Sequence, residues 1–240
     1  MMTFEAGSGG VNMFWLMCGL ILLGAYLLGS IPTGYIAAKL LKGIDIREHG
    51  SGSTGATNVL RTLGKVPGAF VLLIDAVKGV LAIALVYWCF TVTNQNFIPS
   101  TVDTQWLPSM VALAGLAAIL GHSKSIWLGF SGGKSVATSI GLLLAMSWQV
   151  ALATAGVFAI VMAISRIVSL SSICGAFAAT IFMLVFHQPL AYVLFGVAGS
   201  LYVIVRHSSN IQRLLAGTEP RLGQKLPIEK VDEVSNTPLA

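Results

Sequence analysis

The chain has 240 residues, of which 55% are hydrophobic and 10% charged, with a mean hydropathy of +0.84. Ordinary globular domains carry about 25% charge, and fourteen Lys and Arg with nine Asp and Glu cannot clothe a soluble body of this size. These figures exclude a soluble enzyme, a disordered protein and a nucleic-acid module, and they place the chain in a bilayer; the net charge of +5 must then reflect topology.

The first ten residues hold Glu5 and no Lys or Arg, unlike a basic secretory leader, so the first apolar stretch is expected to stay as a span. A hydrocarbon core about 30 Å thick takes roughly 20 helical residues. Apolar runs cover about 13–38 (interrupted by Pro32 and Gly34), then 67–90 and 106–121. The stretch 135–165 is uncharged over 31 residues, too long for one helix and short for two full ones. It is read as two short or tilted helices turning near Ser147–Gln149. Past Arg166 a run extends to Phe186, and past the turn His187-Gln188-Pro189 another reaches Val205. The expectation is an all-α integral membrane protein, a seven-transmembrane-helix bundle, because backbone at membrane depth must satisfy itself.

Alternating spans place 39–65, 122–134, 166 and 206–240 on one side, and those segments hold thirteen of the fourteen basic residues. The other is Lys78, inside the second span beside Asp75 at i, i+3, where a mutual pair is the simpler reading. Basic loops stay cytoplasmic, so the N-terminus is expected outside and the C-terminus in the cytoplasm. Residues 1–216 read as a single membrane domain. The tail 217–240, charged and holding Pro220, Pro227 and Pro238, is expected to pack poorly. Cys18, Cys89 and Cys174 have neither metal nor redox spacing and read as small core residues.

Three polar segments share the expected cytoplasmic side. Asp45–Arg61 packs three glycines, four hydroxyl side chains and two arginines around His49-Gly50-Ser51-Gly52-Ser53-Thr54-Gly55; hydroxyls and arginines donate to phosphate oxygens, although a flexible linker is the plainer alternative. Gly121–Ser135 ends in Gly132-Gly133-Lys134-Ser135 and runs into a helix. A nucleotide-binding P-loop would need glycine at 128, which is Leu128, and a preceding strand, so that reading fails. What survives is an anion site: free N–H groups, a positive helix end and a cation. A plain positive-inside loop is the alternative. In Arg206–Glu219, His207, Asn210 and Leu214 fall on one helical face; a juxtamembrane amphipathic helix would show the same pattern.

Together these pieces resemble the bacterial acyl-phosphate:glycerol-3-phosphate acyltransferases, the PlsY family. The matching residues are Gly29-Ser30-Ile31-Pro32, Asp45-Ile46-Arg47, Gly50-Ser51-Gly52, Gly55-Ala56-Thr57-Asn58 with Arg61, and Asp75 with Lys78-Gly79. They continue with Gly121-His122, Gly132-Gly133-Lys134 with Val136-Ala137-Thr138, Arg206-His207 with Asn210-Ile211, and Gly217-Thr218-Glu219. Departures from the usual pattern are Ser53-Thr54, Ser123-Lys124-Ser125, Ser135 where Gly is usual, and Ser208-Ser209.

The resemblance implies acyl transfer from a fatty acyl phosphate to the 1-hydroxyl of sn-glycerol 3-phosphate, giving lysophosphatidic acid and phosphate, with no cofactor or metal. Ser51, Arg61, Lys134, Ser172, His207 and Asn210 would bind glycerol 3-phosphate, with Ser51, Arg61, His207 and Asn210 serving catalysis. Asn58, Gly132, Gly133 and Lys134 would bind acyl phosphate. The site would lie on the cytoplasmic face of the bacterial inner membrane, with membrane lipid around it and an upstream acyl-phosphate-forming enzyme as a partner. The attacking hydroxyl could give its proton to His207 or to the substrate's own phosphate; no carboxylate obviously orients the imidazole, which favours the phosphate. An anion transporter would place its site at the midplane between repeats, and a phosphotransferase would want metal-binding acids, so the acyltransferase reading is preferred.

Overall fold

The computed structural model describes residues 8–94 and 100–224, and the described residues are all helical apart from turns and one isolated bridge, Ser125 to Ser131. The helices are α1 (Ser8–Ser30), α2 (Thr33–Lys42), α3 (Ala56–Leu63), α4 (Lys65–Asn94), α5 (Ser100–Ser123), α6 (Val136–Met146), α7 (Trp148–Ser165), α8 (Val168–Val185), α9 (Leu190–Arg206) and α10 (Ser208–Leu215).

Each apolar stretch forms helix, and the breaks fall where the backbone demands them. Pro32 separates α1 from α2, Ser147 takes extended backbone between α6 and α7, and Arg166 adopts a left-handed φ of 59° between α7 and α8. The count of spans differs from the sequence expectation of seven. Five segments are long and apolar enough to cross a bilayer, or six if α9 and α10, bent by 61°, form one span. The shortfall lies in α6, whose 11 residues reach only ~16 Å at 1.5 Å per residue. The chain is a multi-pass membrane protein.

Small residues allow two crossings in which helix backbones nearly touch. A Cβ on Gly29 or Gly121 would collide with backbone across the α1–α5 contact, and one on Gly79 or Gly141 would do so across α4–α6. Without a hydrophobic drive between lipid-solvated helices, such close packing supplies the dispersion energy of association. Large side chains fill the remaining interior, among them Ile21, Ile83, Val86, Val111, Leu142 and Met183. A smaller cluster of Ala38, Ile46, Val59 and Val71 pins α2, the 3-10 turn Ile46–Glu48 and α3 onto α4. That cluster sets the first polar segment against the bundle's end.

The tail departs from expectation at its beginning. Gly217 to Gln224 folds back onto the bundle: the Leu222 N–H donates to Arg166 O at 2.7 Å, and Glu219 is 8% exposed. The rest of the tail, 225–240, lies outside the described residues.

Candidate active site

A cavity of about 470 Å³ opens where all three polar segments meet. Its polar end gathers three helix N-termini: Gly55, Ala56 and Thr57 of α3, Ser135, Val136 and Ala137 of α6, and Val168 and Ser169 of α8. Each N-terminus presents N–H groups unused within its helix and the positive end of a dipole. Arg61 and Lys134 add full charges to the same wall. From there the cavity runs between α6, α7, α8 and α9 past Ala155, Phe158, Ala176, Ala179 and Gly196 to Phe195. The space is amphipathic, cationic at one end and oily along its length.

His207 sits at the 61° bend between α9 and α10 and is 3% exposed. Its Nδ1 lies 2.7 Å from Val203 O. A carbonyl only accepts, so Nδ1 carries the hydrogen, and in the neutral ring Nε2 keeps a lone pair. The orienting group is therefore a backbone carbonyl, consistent with the lack of a carboxylate partner in the sequence.

Asn210 is held from two sides. Its Oδ1 accepts from Lys134 Nζ, and its Nδ2 donates to Glu219 Oε1 at 2.6 Å. The same Glu219 oxygen accepts from Ser169 Oγ at 2.7 Å, while Oε2 accepts from Arg213 Nε at 2.7 Å. Glu219 thus fixes which face of the Asn210 amide meets Lys134, since a carboxylate can only accept. Burial alone would raise the Glu219 carboxyl, but hydrogen bonds from Asn210, Ser169 and Arg213 prevail and hold it below its ordinary value. Sequence reasoning matched Glu219 to a motif yet gave it no role; its signal was the one acid in the Arg206–Glu219 segment, beside Arg206 and Arg213.

Burial lowers the Lys134 ammonium to about 8, with Arg213, Arg206 and Arg61 adding repulsion and Glu219 opposing it. Arg61 is likewise lowered by burial, and its Nη2 donates to Pro220 O at 3.3 Å. The folded tail therefore contacts both Arg61 and Asn210.

Of the residues expected from sequence, Ser51, Asn58, Arg61, Lys134, Ser172, His207 and Asn210 all line this cavity. Asn58 and the glycine pair also bond within the protein. Asn58 spends its amide on its own loop: Nδ2 lies within 3.1 Å of Ile46 O, His49 O and Ser53 O, and Oδ1 accepts from the Ser51 N–H at 3.0 Å. It shapes the segment that presents Ser51. Gly132 and Gly133 stand outside the lining, and the Gly133 N–H donates to His122 O at 3.1 Å. Ser172 Oγ donates to Val168 O at 2.8 Å within α8. Arg47 ties the first polar segment to the second, with Nη1 donating to Leu128 O at 3.3 Å and Ser131 Oγ at 3.1 Å. Among the described residues no group of three or more His, Cys, Asp or Glu is placed to hold a metal.

Fold and site together define a helical membrane protein with a cationic head and an apolar channel in one cavity. The family description glycerol-3-phosphate acyltransferase matches residues 19–217, and the chain belongs to that family. A glycerol-3-phosphate acyltransferase of Nostoc sp. is 73% identical over 219 residues, covering 90% of this chain and 97% of its own. One from Acaryochloris marina is 60% identical over 216 residues, covering 88% and 95%. Among solved structures, the integral membrane glycerol 3-phosphate acyltransferase PlsY in its glycerol 3-phosphate form is 37% identical, with a TM-score of 0.74 over 86% of this chain and 96% of that one. The same enzyme in a lysophosphatidic acid form gives a TM-score of 0.72.

Proposed function

We propose that this protein transfers a fatty acyl group from acyl phosphate to the 1-hydroxyl of sn-glycerol 3-phosphate, releasing lysophosphatidic acid and inorganic phosphate. The observation that carries the reading is the joining of three helix N-termini, Arg61 and Lys134 to an apolar channel in one cavity. Two phosphorylated substrates brought together repel strongly at low dielectric, and this much positive potential offsets that repulsion. The apolar channel suits a fatty chain. The solved forms of PlsY, with glycerol 3-phosphate and with lysophosphatidic acid, support the same acceptor and product.

In the proposed step the 1-hydroxyl oxygen attacks the acyl carbonyl carbon. The bond from that carbon to the phosphate oxygen breaks, and phosphate leaves with the electron pair. Acyl phosphate is already activated, so no covalent nucleophile, metal or cofactor is required; the protein contributes positioning and electrostatic stabilisation. Ser51 and Arg61 bind the acceptor, with Ser172, and Lys134 stands between the two phosphates. Asn210 and His207 Nε2 orient the hydroxyl. Its proton passes to the phosphate of the acceptor: His207 Nδ1 is bonded to a neutral carbonyl and not to a carboxylate, and burial with Lys134 and Arg206 nearby disfavours an imidazolium more than Glu219 favours it.

The site is assigned to the cytoplasmic face of the bacterial inner membrane, because thirteen of fourteen basic residues fall in the segments on that side. Counting α6 and α9 as crossings gives seven spans, N-terminus outside and C-terminus in the cytoplasm. The active unit runs through at least Glu219, and an upstream enzyme that forms acyl phosphate would supply the donor. Purified protein given palmitoyl phosphate and glycerol 3-phosphate should yield lysophosphatidate and phosphate, and should do so poorly with palmitoyl-CoA. Equal or better use of palmitoyl-CoA would contradict the assigned donor.

A further inference from the structure

The Gly132-Gly133 turn is cast against one residue. A Cβ on Gly133 would clash with the edge of the His122 ring at Nε2, and a Cβ on Gly132 would clash with His122 O. The His122 carbonyl also receives the Gly133 N–H at 3.1 Å. The ring itself is 7% exposed and braced from behind. Nδ1 lies 3.3 Å from Thr138 Oγ1, on the first turn of α6, and 3.8 Å from Asp75 Oδ1 on α4. Asp75 in turn pairs with Lys78 at 2.8 Å, and Lys78 donates to Ile31 O at 3.0 Å. The intramembrane pair and the glycine turn, which sequence treats as separate features, therefore belong to one buried assembly. The residue immediately after the turn is Lys134, whose ammonium reaches Asn210 in the cavity.

We propose that His122 is a positioning residue: it forms the mould for Gly132-Gly133 and through that turn aims Lys134 at the substrates. His122 then requires glycine at both positions on steric grounds alone. The proposal rests on the acyltransferase reading only for its kinetic arm. The steric arm is independent of it.

The test compares wild type with Gly133→Ala, His122→Ala and the double variant, each purified in detergent, by thermal unfolding and by steady-state kinetics on both substrates. A methyl at 133 strikes the imidazole, so Gly133→Ala should melt lower and lose at least ~100-fold in kcat/KM, and removing the ring should restore ~10-fold or more of that loss, a non-additivity typical of residues in contact. His122→Ala alone should raise at least one substrate KM about 5-fold or more while kcat changes less, because a misaimed lysine weakens binding. A double variant that melts and turns over no better than Gly133→Ala overturns the proposal, as does failure of both Gly133 variants to fold. Loss of kcat at unchanged KM values in His122→Ala overturns the positioning role. If the wild type makes no lysophosphatidate, the acyltransferase reading fails, and the melting temperatures alone decide whether the methyl at 133 meets His122.

Discussion

Glu219 offers a graded perturbation whose outcome follows from hydrogen-bond counting. Its carboxylate accepts from Asn210 Nδ2, Ser169 Oγ and Arg213 Nε. In Glu219→Gln the side-chain oxygen can keep the Asn210 and Ser169 bonds while the new NH2 faces Arg213, setting donor against donor. Arg213 is 39% exposed and can turn to water, so the loss should be ~1 kcal/mol. In Glu219→Ala the Asn210 amide and Ser169 hydroxyl both lose a buried acceptor, at about 1–3 kcal/mol each, so the total should reach ~3–5 kcal/mol. The functional consequence is sharper than the difference in stability. With no acceptor to hold Nδ2, the Asn210 amide can flip and turn a donor toward Lys134. Thermal unfolding in detergent should rank wild type above Gln above Ala. Kinetics on the folded fraction should show the Gln variant within about 5-fold of wild type, and the Ala variant down by at least ~100-fold in kcat/KM, the scale of misaligned catalytic groups. Wild-type turnover in folded Glu219→Ala would refute the claim that this carboxylate sets the orientation of Asn210.

Lys134 should govern the alkaline limb of activity. Its ammonium is lowered from 10.5 to about 8, so it is charged below that pH and loses its proton as pH rises through it. The KM for anionic substrate should therefore climb above about pH 8, and Lys134→Arg, charged throughout, should flatten that limb. A guanidinium that meets phosphate in a bidentate fork is not replaced by an ammonium, so even Arg61→Lys should lose most activity; near-normal turnover would remove Arg61 from the site. His207→Ala should depress kcat more than either KM, because orientation of the hydroxyl matters most in the transition state. Cysteines introduced as Gly55→Cys, Phe130→Cys and Leu215→Cys, with the native cysteines replaced, should label only from the cytoplasm. Labelling of Phe130→Cys from outside would break the common compartment that the site requires.

Apolar run length made most of the fold legible. The split near Ser147, the break at Arg166 and the turn at His187-Gln188-Pro189 all lie where hydropathy and turn chemistry placed them. Hydropathy could not show that α6 has only 11 residues, because an uncharged stretch carries no mark of where a helix begins. Ser135 supplies that start through backbone geometry, taking a left-handed φ of 64°. Its hydroxyl is tied to Ser123 Oγ at 2.6 Å and Ile119 O at 2.9 Å, so this departure from the family's usual glycine is built into the packing. The site residues were legible as types, since hydroxyls, cations and an imidazole announce phosphate chemistry. Their division of labour was not. The Asn58 amide and the Gly133 N–H bond neighbouring protein atoms, and only the fold shows where an amide points. Glu219 was hidden for the opposite reason: composition suggested a loose tail, while two buried hydrogen bonds and a third from part-exposed Arg213 hold it.

The account stands on direct transfer between two bound phosphates, with no acyl-enzyme between them. Stoichiometric enzyme mixed with palmitoyl phosphate alone and quenched on the millisecond scale should release no phosphate. Addition of glycerol 3-phosphate should then produce phosphate and lysophosphatidate in equal amounts. A burst of phosphate equal to the enzyme concentration before the acceptor is added, with the acyl group retained on protein, would contradict it.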